Sequence, residues 1–74
     1  MTLNELQKGE SAIIKQLDCD KVLKSRLNSF GLKKGEKINI EEVTLAKETI
    51  KININRTKIA LRVTEASNIK VEKC

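Results

Sequence analysis

Seventy-four residues, 39% hydrophobic and 34% charged, are enough for one small domain (1–74) and leave no room for a second core. The formal net charge is +5, fifteen Lys and Arg interleaved with ten Asp and Glu, and there is no His, Trp or Tyr. That inventory argues against His-based catalysis, and the lone aromatic Phe30 cannot supply the stacking platform used by readers of single-stranded nucleic acid.

At the start, TLNEL carries a capping box, Thr2 with Glu5, ahead of a short turn; Leu3 and Leu6 close one end of the core. ESAIIKQL, residues Glu10 to Leu17, reads as a strand whose adjacent Ile13 and Ile14 require two partly covered faces or a bulge. The period then changes. Leu23, Leu27 and Phe30 recur at helical spacing with Val22 beside them, which places Phe30 inward at the helix end. Asp20 is the N-cap, Asp18 adds negative charge near the helix start, and Gly31 fits the C′ position. Leu27 then falls at C3 and Leu32 at C″, the pair that touches in a Schellman ending.

Beyond the helix, EKINIEEV alternates with Ile38 and Ile40 on one face and sends Glu41 and Glu42 to opposite faces. IKINI alternates strictly from Ile50 to Ile54, as does TKIALRV through Ile59, Leu61 and Val63. The connection at Asn55 and Arg56 reads as a hairpin. A two-residue turn pairs Ile52 with Ile59 and Ile50 with Leu61; a four-residue loop shifts the partners and keeps the same faces inward. TEASN, residues Thr64 to Asn68, makes one helical turn, and IKVEK forms a last short strand.

One phrase occurs twice: LQKGE at Leu6–Glu10 and LKKGE at Leu32–Glu36. Neither copy has the glycines or the Lys-Ser/Thr end of a phosphate-binding loop. Each reads as a type II turn, with Lys second and Gly third, that launches a strand. The predicted architecture is mainly β: a five-stranded SH3-like barrel with a helical insertion between its first and second strands. An OB-fold fits less well because its helix usually follows the third strand.

Leu3, Leu6 and Gly9 are followed by Arg26, Leu27, Phe30, Gly31, Leu32 and Gly35, then Ile38 and Ile40. Ile59, Ala60, Leu61 and Arg62 come next, with Ala66, Ile69 and Val71 after them. This order, which covers essentially the whole chain, resembles the FeoA family, small cytosolic partners of the bacterial ferrous iron transporter FeoB. The chain departs from the family pattern at Phe30, where an aliphatic residue is common, and at Lys8 and Lys34, where a proline often precedes the turn glycine. The resemblance implies an SH3-like accessory protein that acts on FeoB at its cytosolic GTPase region, with no catalysis of its own and no cofactor. It also occurs in domains fused to iron-dependent repressors; this chain shows no helix-turn-helix, so DNA binding of that kind is not expected.

Asp18, Cys19 and Asp20 could be read as metal ligands, but one thiol and two adjacent acids make a poor closed site, and a capped helix start is preferred. Cys19 and Cys74 have no zinc spacing and, without a signal peptide, are expected as free thiols in a reducing cytoplasm. No apolar stretch approaches bilayer length, so recruitment to the inner face of the cell membrane would come from outside the bilayer. A proline-rich-peptide groove would need aromatic walls that one Phe cannot line. The helical insertion is the preferred partner-binding face: Lys21, Lys24, Ser25 and Asn28 point outward and Arg26 lies on the flank. A solvated helix face explains the same residues equally well. An acidic protein, an anionic membrane surface and a weak homo-oligomer all remain open, and a generic small basic barrel binding RNA or another protein is the alternative reading.

Overall fold

Alternating β-branched residues produce five antiparallel strands: β1 (Ser11–Leu17), β2 (Lys37–Val43), β3 (Thr49–Ile54), β4 (Thr57–Arg62) and β5 (Ile69–Lys73). They form one sheet in the order β4-β3-β2-β1-β5. Helix α1 (Lys21–Ser29) is inserted between β1 and β2, and the short α2 (Val63–Ala66) joins β4 to β5. The computed structural model describes residues 1–44, 46 and 48–74.

The inward positions of all five strands meet in one aliphatic cluster, to which Leu3, Leu6, Leu27, Leu32 and Ala66 add from the turns and helices. Each fully buried Ile or Leu contributes about 1.5–3 kcal/mol, so a dozen such residues account for a stable core in so short a chain. In β1 both sequence alternatives hold. Ile14 is buried and Ile13 half-buried, and the register against β5 slips between Ile14 and Gln16.

The repeated phrase makes two matching corners. Glu10 N–H donates to the Gln7 carbonyl at 3.0 Å, and Glu36 N–H to that of Lys33 at 3.1 Å, with Gly9 and Gly35 at φ 88° and 92°. Each corner then ties itself to the other's strand. Gly9 N–H donates to Ile40 O (2.9 Å) and Ile40 N–H to Glu10 O (2.8 Å). Gly35 N–H donates to Ile14 O (2.7 Å) and Ile14 N–H to Glu36 O (2.9 Å). Two copies of one turn therefore extend the β1–β2 ladder at both ends and satisfy backbone groups that would otherwise be left unpaired.

The β3–β4 hairpin takes the two-residue option, pairing Ile54 with Thr57, Ile52 with Ile59 and Ile50 with Leu61. Asn55 and Arg56 both have positive φ, 49° and 69°, as a type I′ turn requires. Beside β5, Thr2 bridges Lys70, and Val71 N–H donates to the Met1 carbonyl at 2.9 Å, which covers part of that edge.

Three sequence expectations change. Val63 opens α2 rather than ending β4, because the Glu65 carboxylate accepts the Arg62 N–H at 3.0 Å and starts the helix there. Glu41 and Glu42 do not diverge: a register shift between Ile40 and Glu42 lets both carboxylates reach lysines of the outer face, Glu41 to Lys58 at 2.9 Å and Glu42 to Lys51 at 3.3 Å. Phe30 is 40% exposed rather than inward. The Schellman ending explains this. Leu32 N–H donates to Leu27 O and Gly31 N–H to Asn28 O, both at 3.0 Å, and Leu32 folds back to fill the core position beside Leu27.

Candidate functional site

Helix α1 begins at Asp20, whose Oδ1 accepts the Leu23 N–H at 2.8 Å, and ends where Gly31 adopts φ 93°. Between those stops only Leu27 is fully buried, Leu23 is half-buried, and the other seven helix residues are exposed. The predicted face is thus open to solvent at every position: Lys21, Lys24, Ser25, Arg26 and Asn28.

The fold divides these residues between two flanks. Lys24 and Asn28 line a cleft of about 270 Å³ between α1 and β1, together with Lys15, Gln16, Leu17 and Lys34. Arg26 lies on the other flank, where its Nη1 meets Glu65 Oε2 of α2 at 3.1 Å and its guanidinium sits 5.9 Å from the Phe30 ring centroid. Lys21 and Ser25, one helical turn apart, occupy the outward side between the two.

Charge is distributed less evenly than the sequence suggested. Residues 21–37 carry six basic side chains and one acid, leaving nine of each in the remaining 57 residues. The whole formal excess of +5 therefore comes from α1, the turn after it and the start of β2. Ion pairing sharpens the contrast. The lysines of β1, β3, β4 and β5 each have a carboxylate partner: Lys15 with Glu72, Lys51 with Glu42, Lys58 with Glu41, Lys70 with Asp18, and Lys73 with Glu10. Among the described residues, Lys21, Lys24, Lys33, Lys34 and Lys37 have none within 4.0 Å. Exposed ion pairs add little stability, but they cancel field. The largest group of lysines without such partners therefore lies on α1 and its exit.

Sequence reasoning missed Val22 and Phe30 as surface features and Lys15 and Lys34 as walls of the cleft. The first could have been found from the helical wheel, because Val22 falls off the Leu23–Leu27 face. The others depend on how β1 and the second turn stand beside the helix, which no local pattern encodes.

The acidic stretch before α1 is occupied by structure. Asp20 caps the helix, and Asp18 lies 3.9 Å from Lys70. Cys19 is half-buried and packs against the core, and burial raises its thiol above the ordinary range, with Asp20 and Asp18 adding to the effect and Lys24 opposing it. Among the described residues no group of three or more His, Cys, Asp or Glu converges. No described helix is long and apolar enough to cross a membrane.

Comparison with known proteins agrees with this architecture. The family model for the FeoA domain matches residues 1–73. A Campylobacter jejuni protein named for Fe(2+) transport, transport protein A, is 41% identical over 71 residues, covering 96% of either chain. A Helicobacter pylori protein of the same name is 40% identical over 67 residues, 89% of this chain and 86% of that one. Iron(II) transport protein A from Clostridium thermocellum superposes with a TM-score of 0.94 at 36% identity, over 99% of this chain and 45% of that one. FeoA from Stenotrophomonas maltophilia, solved in complex with zinc and described as a prokaryotic SH3 domain protein, gives 0.80 at 29% identity, over 97% and 89%. With its five-stranded SH3-like sheet and its helix between the first two strands, the chain belongs to the FeoA domain family, which is associated with ferrous iron transport.

Proposed function

We propose that the protein is a cytosolic accessory factor of bacterial ferrous iron uptake. It binds a FeoB-type membrane transporter at its cytosolic GTPase region and modulates it by protein–protein contact, without chemistry of its own. Family membership supports the iron-transport setting. One observation carries the choice of surface: the entire charge excess of the chain falls in residues 21–37, the inserted helix, its exit and the start of β2, while the rest of the chain balances nine basic against nine acidic side chains. A lobe of uncancelled lysines steers a partner of opposite charge and raises the encounter rate.

On this reading Lys21 and Lys24 lead the contact, with Ser25, Arg26 and Asn28 around them. The test is capture of the detergent-solubilised transporter by wild-type protein and by the double variant K21E/K24E. Wild-type capture that weakens as salt rises, and capture by the double variant reduced about tenfold or more, are the expected results. Equal capture by both proteins removes this face from the mechanism. Iron uptake and transporter GTPase rate, each measured with and without the protein, then report what binding does. Strongly salt-dependent binding of RNA with no capture of the transporter would favour a generic basic barrel instead.

A further inference from the structure

Charge does not explain everything α1 exposes. Val22 is 81% open to solvent and Phe30 40%, and with Met1 they are the large apolar side chains most exposed among the described residues. Val22, Arg26 and Phe30 are spaced four apart, so they run along one flank of the helix. Arg26 is held between its neighbours, paired with Glu65 on one side and lying over the Phe30 ring on the other. An aliphatic, an arginine and an aromatic in line, two of them already positioned, have the composition of an interface centre rather than of a solvated face. Fixing the Arg and Phe rotamers before contact lowers the ordering cost of binding.

The surroundings define the occupant. Lys21, Lys24, Lys33, Lys34 and Lys37 supply positive charge on the helix and its exit, without acidic partners within 4.0 Å among the described residues. A complementary surface must carry carboxylates at its rim and an apolar pocket at its centre. A protein groove meets both demands. A lipid surface offers anionic headgroups but no pocket of fixed shape for a guanidinium already lying over an aromatic ring.

We propose that Val22, Arg26 and Phe30 are the anchoring centre of the docking face, and that they enter an apolar pocket on the partner protein whose carboxylates lie toward the Lys21–Lys24 side of the helix. The inference rests on the function proposed above and adds the partner's chemistry to it. Lysines govern how fast the complex forms; the Val22–Phe30 flank governs how long it lasts.

The experiment compares wild-type protein with V22D, F30A and K21E/K24E for binding to the solubilised transporter, at low and high salt. Val22 is exposed and lies in the first helical turn, where an acid suits the helix dipole, so V22D keeps the fold; unchanged thermal unfolding verifies this. F30A is expected to weaken binding about tenfold, largely through faster dissociation, with the loss persisting at high salt; V22D, which also sets a carboxylate against those of the partner, should lose more than that at low salt and still about tenfold at high salt. The loss in K21E/K24E should shrink as salt rises. Wild-type affinity in both V22D and F30A overturns the anchoring centre and leaves the proposed function standing. Failure of the wild-type protein to bind the transporter at all overturns the proposed function and this inference with it. Wild-type binding to phosphatidylglycerol vesicles, lost in V22D, without binding to the transporter, assigns the flank to a membrane and also overturns the inference.

Discussion

The sheet and helix α1 are built on opposite principles. In the sheet, every inward position is aliphatic and buried, and the lysines of four strands are matched by carboxylates. In α1, one residue of nine is buried, apolar side chains face solvent, and two lysines have no acidic partner among the described residues. The sheet's lysines are matched within the fold; the helix leaves its surface for something else to complete. Apart from Leu27, which it adds to the core, the helix buries little, so the difference locates interaction on the outer surface of the insertion.

The largest expected effect comes from core truncation. Ile52→Ala in β3 and Leu27→Ala in α1 each remove a fully buried side chain, and each should cost about 2–5 kcal/mol in denaturant unfolding. Hydrogen exchange should separate them. Ile52→Ala is expected to lower protection throughout, whereas Leu27→Ala should release α1 locally and leave the strands protected. Equal loss in helix and sheet after Leu27→Ala would erase the distinction between them.

Turn substitutions test the same boundary at lower energy. Gly31 ends the helix at φ 93°, and a methyl group added there meets open space. Gly31→Ala therefore incurs only the left-handed backbone strain, about 1 kcal/mol. Arg56 holds φ 69° in the sheet's hairpin, and Arg56→Gly should raise stability by about 0.5 kcal/mol. Thermal unfolding shifts of opposite sign are the expected outcome; a loss in both would show that the hairpin tolerates Arg56 without strain.

Acid should act weakly and on the sheet side. The Glu10 carboxyl is held below its ordinary range first by the Lys73 ammonium and then by the Gln7 N–H. A carboxyl depressed in the folded state contributes stability above its unfolded pKa, and the contribution disappears as pH falls through the folded value. Glu10 tethers β1 to the end of β5, so Glu10→Gln should flatten the loss of stability on acidification, by a small amount because the pair is exposed. Identical acid profiles in the two proteins would mean that this tether adds nothing to the wall.

Much of the wall was legible beforehand. Ile38 and Ile40, Ile50 to Ile54, and Ile59 with Leu61 alternate without ambiguity, and two phrases ending in Gly-Glu marked the corners that precede β1 and β2. Legibility failed where a residue's place depends on a competitor. Phe30 has the right spacing for the core, but Leu32 takes that space once Gly31 reverses the chain. Glu41 and Glu42 alternate in sequence, yet a bulge brings both to lysines of one face. The candidate face was recognised as the outside of a helix; its division into a basic cleft and an apolar flank was not, because β1, α2 and the second turn supply the other walls.

Local chemistry in the sequence determined the strands, the capped helix, the positive-φ turns and the family, since each depends on neighbours within a few positions. Only the tertiary structure decided which charges cancel. Ion pairs such as Lys15–Glu72 and Lys58–Glu41 join residues far apart in the chain and match the lysines of four strands, whereas the five lysines of residues 21–37, where the sequence already concentrates its charge excess, have no such partner among the described residues. The fold leaves that basic stretch unpaired, with Val22 and Phe30 uncovered beside it, because the sheet's acids are engaged by the lysines of the sheet itself.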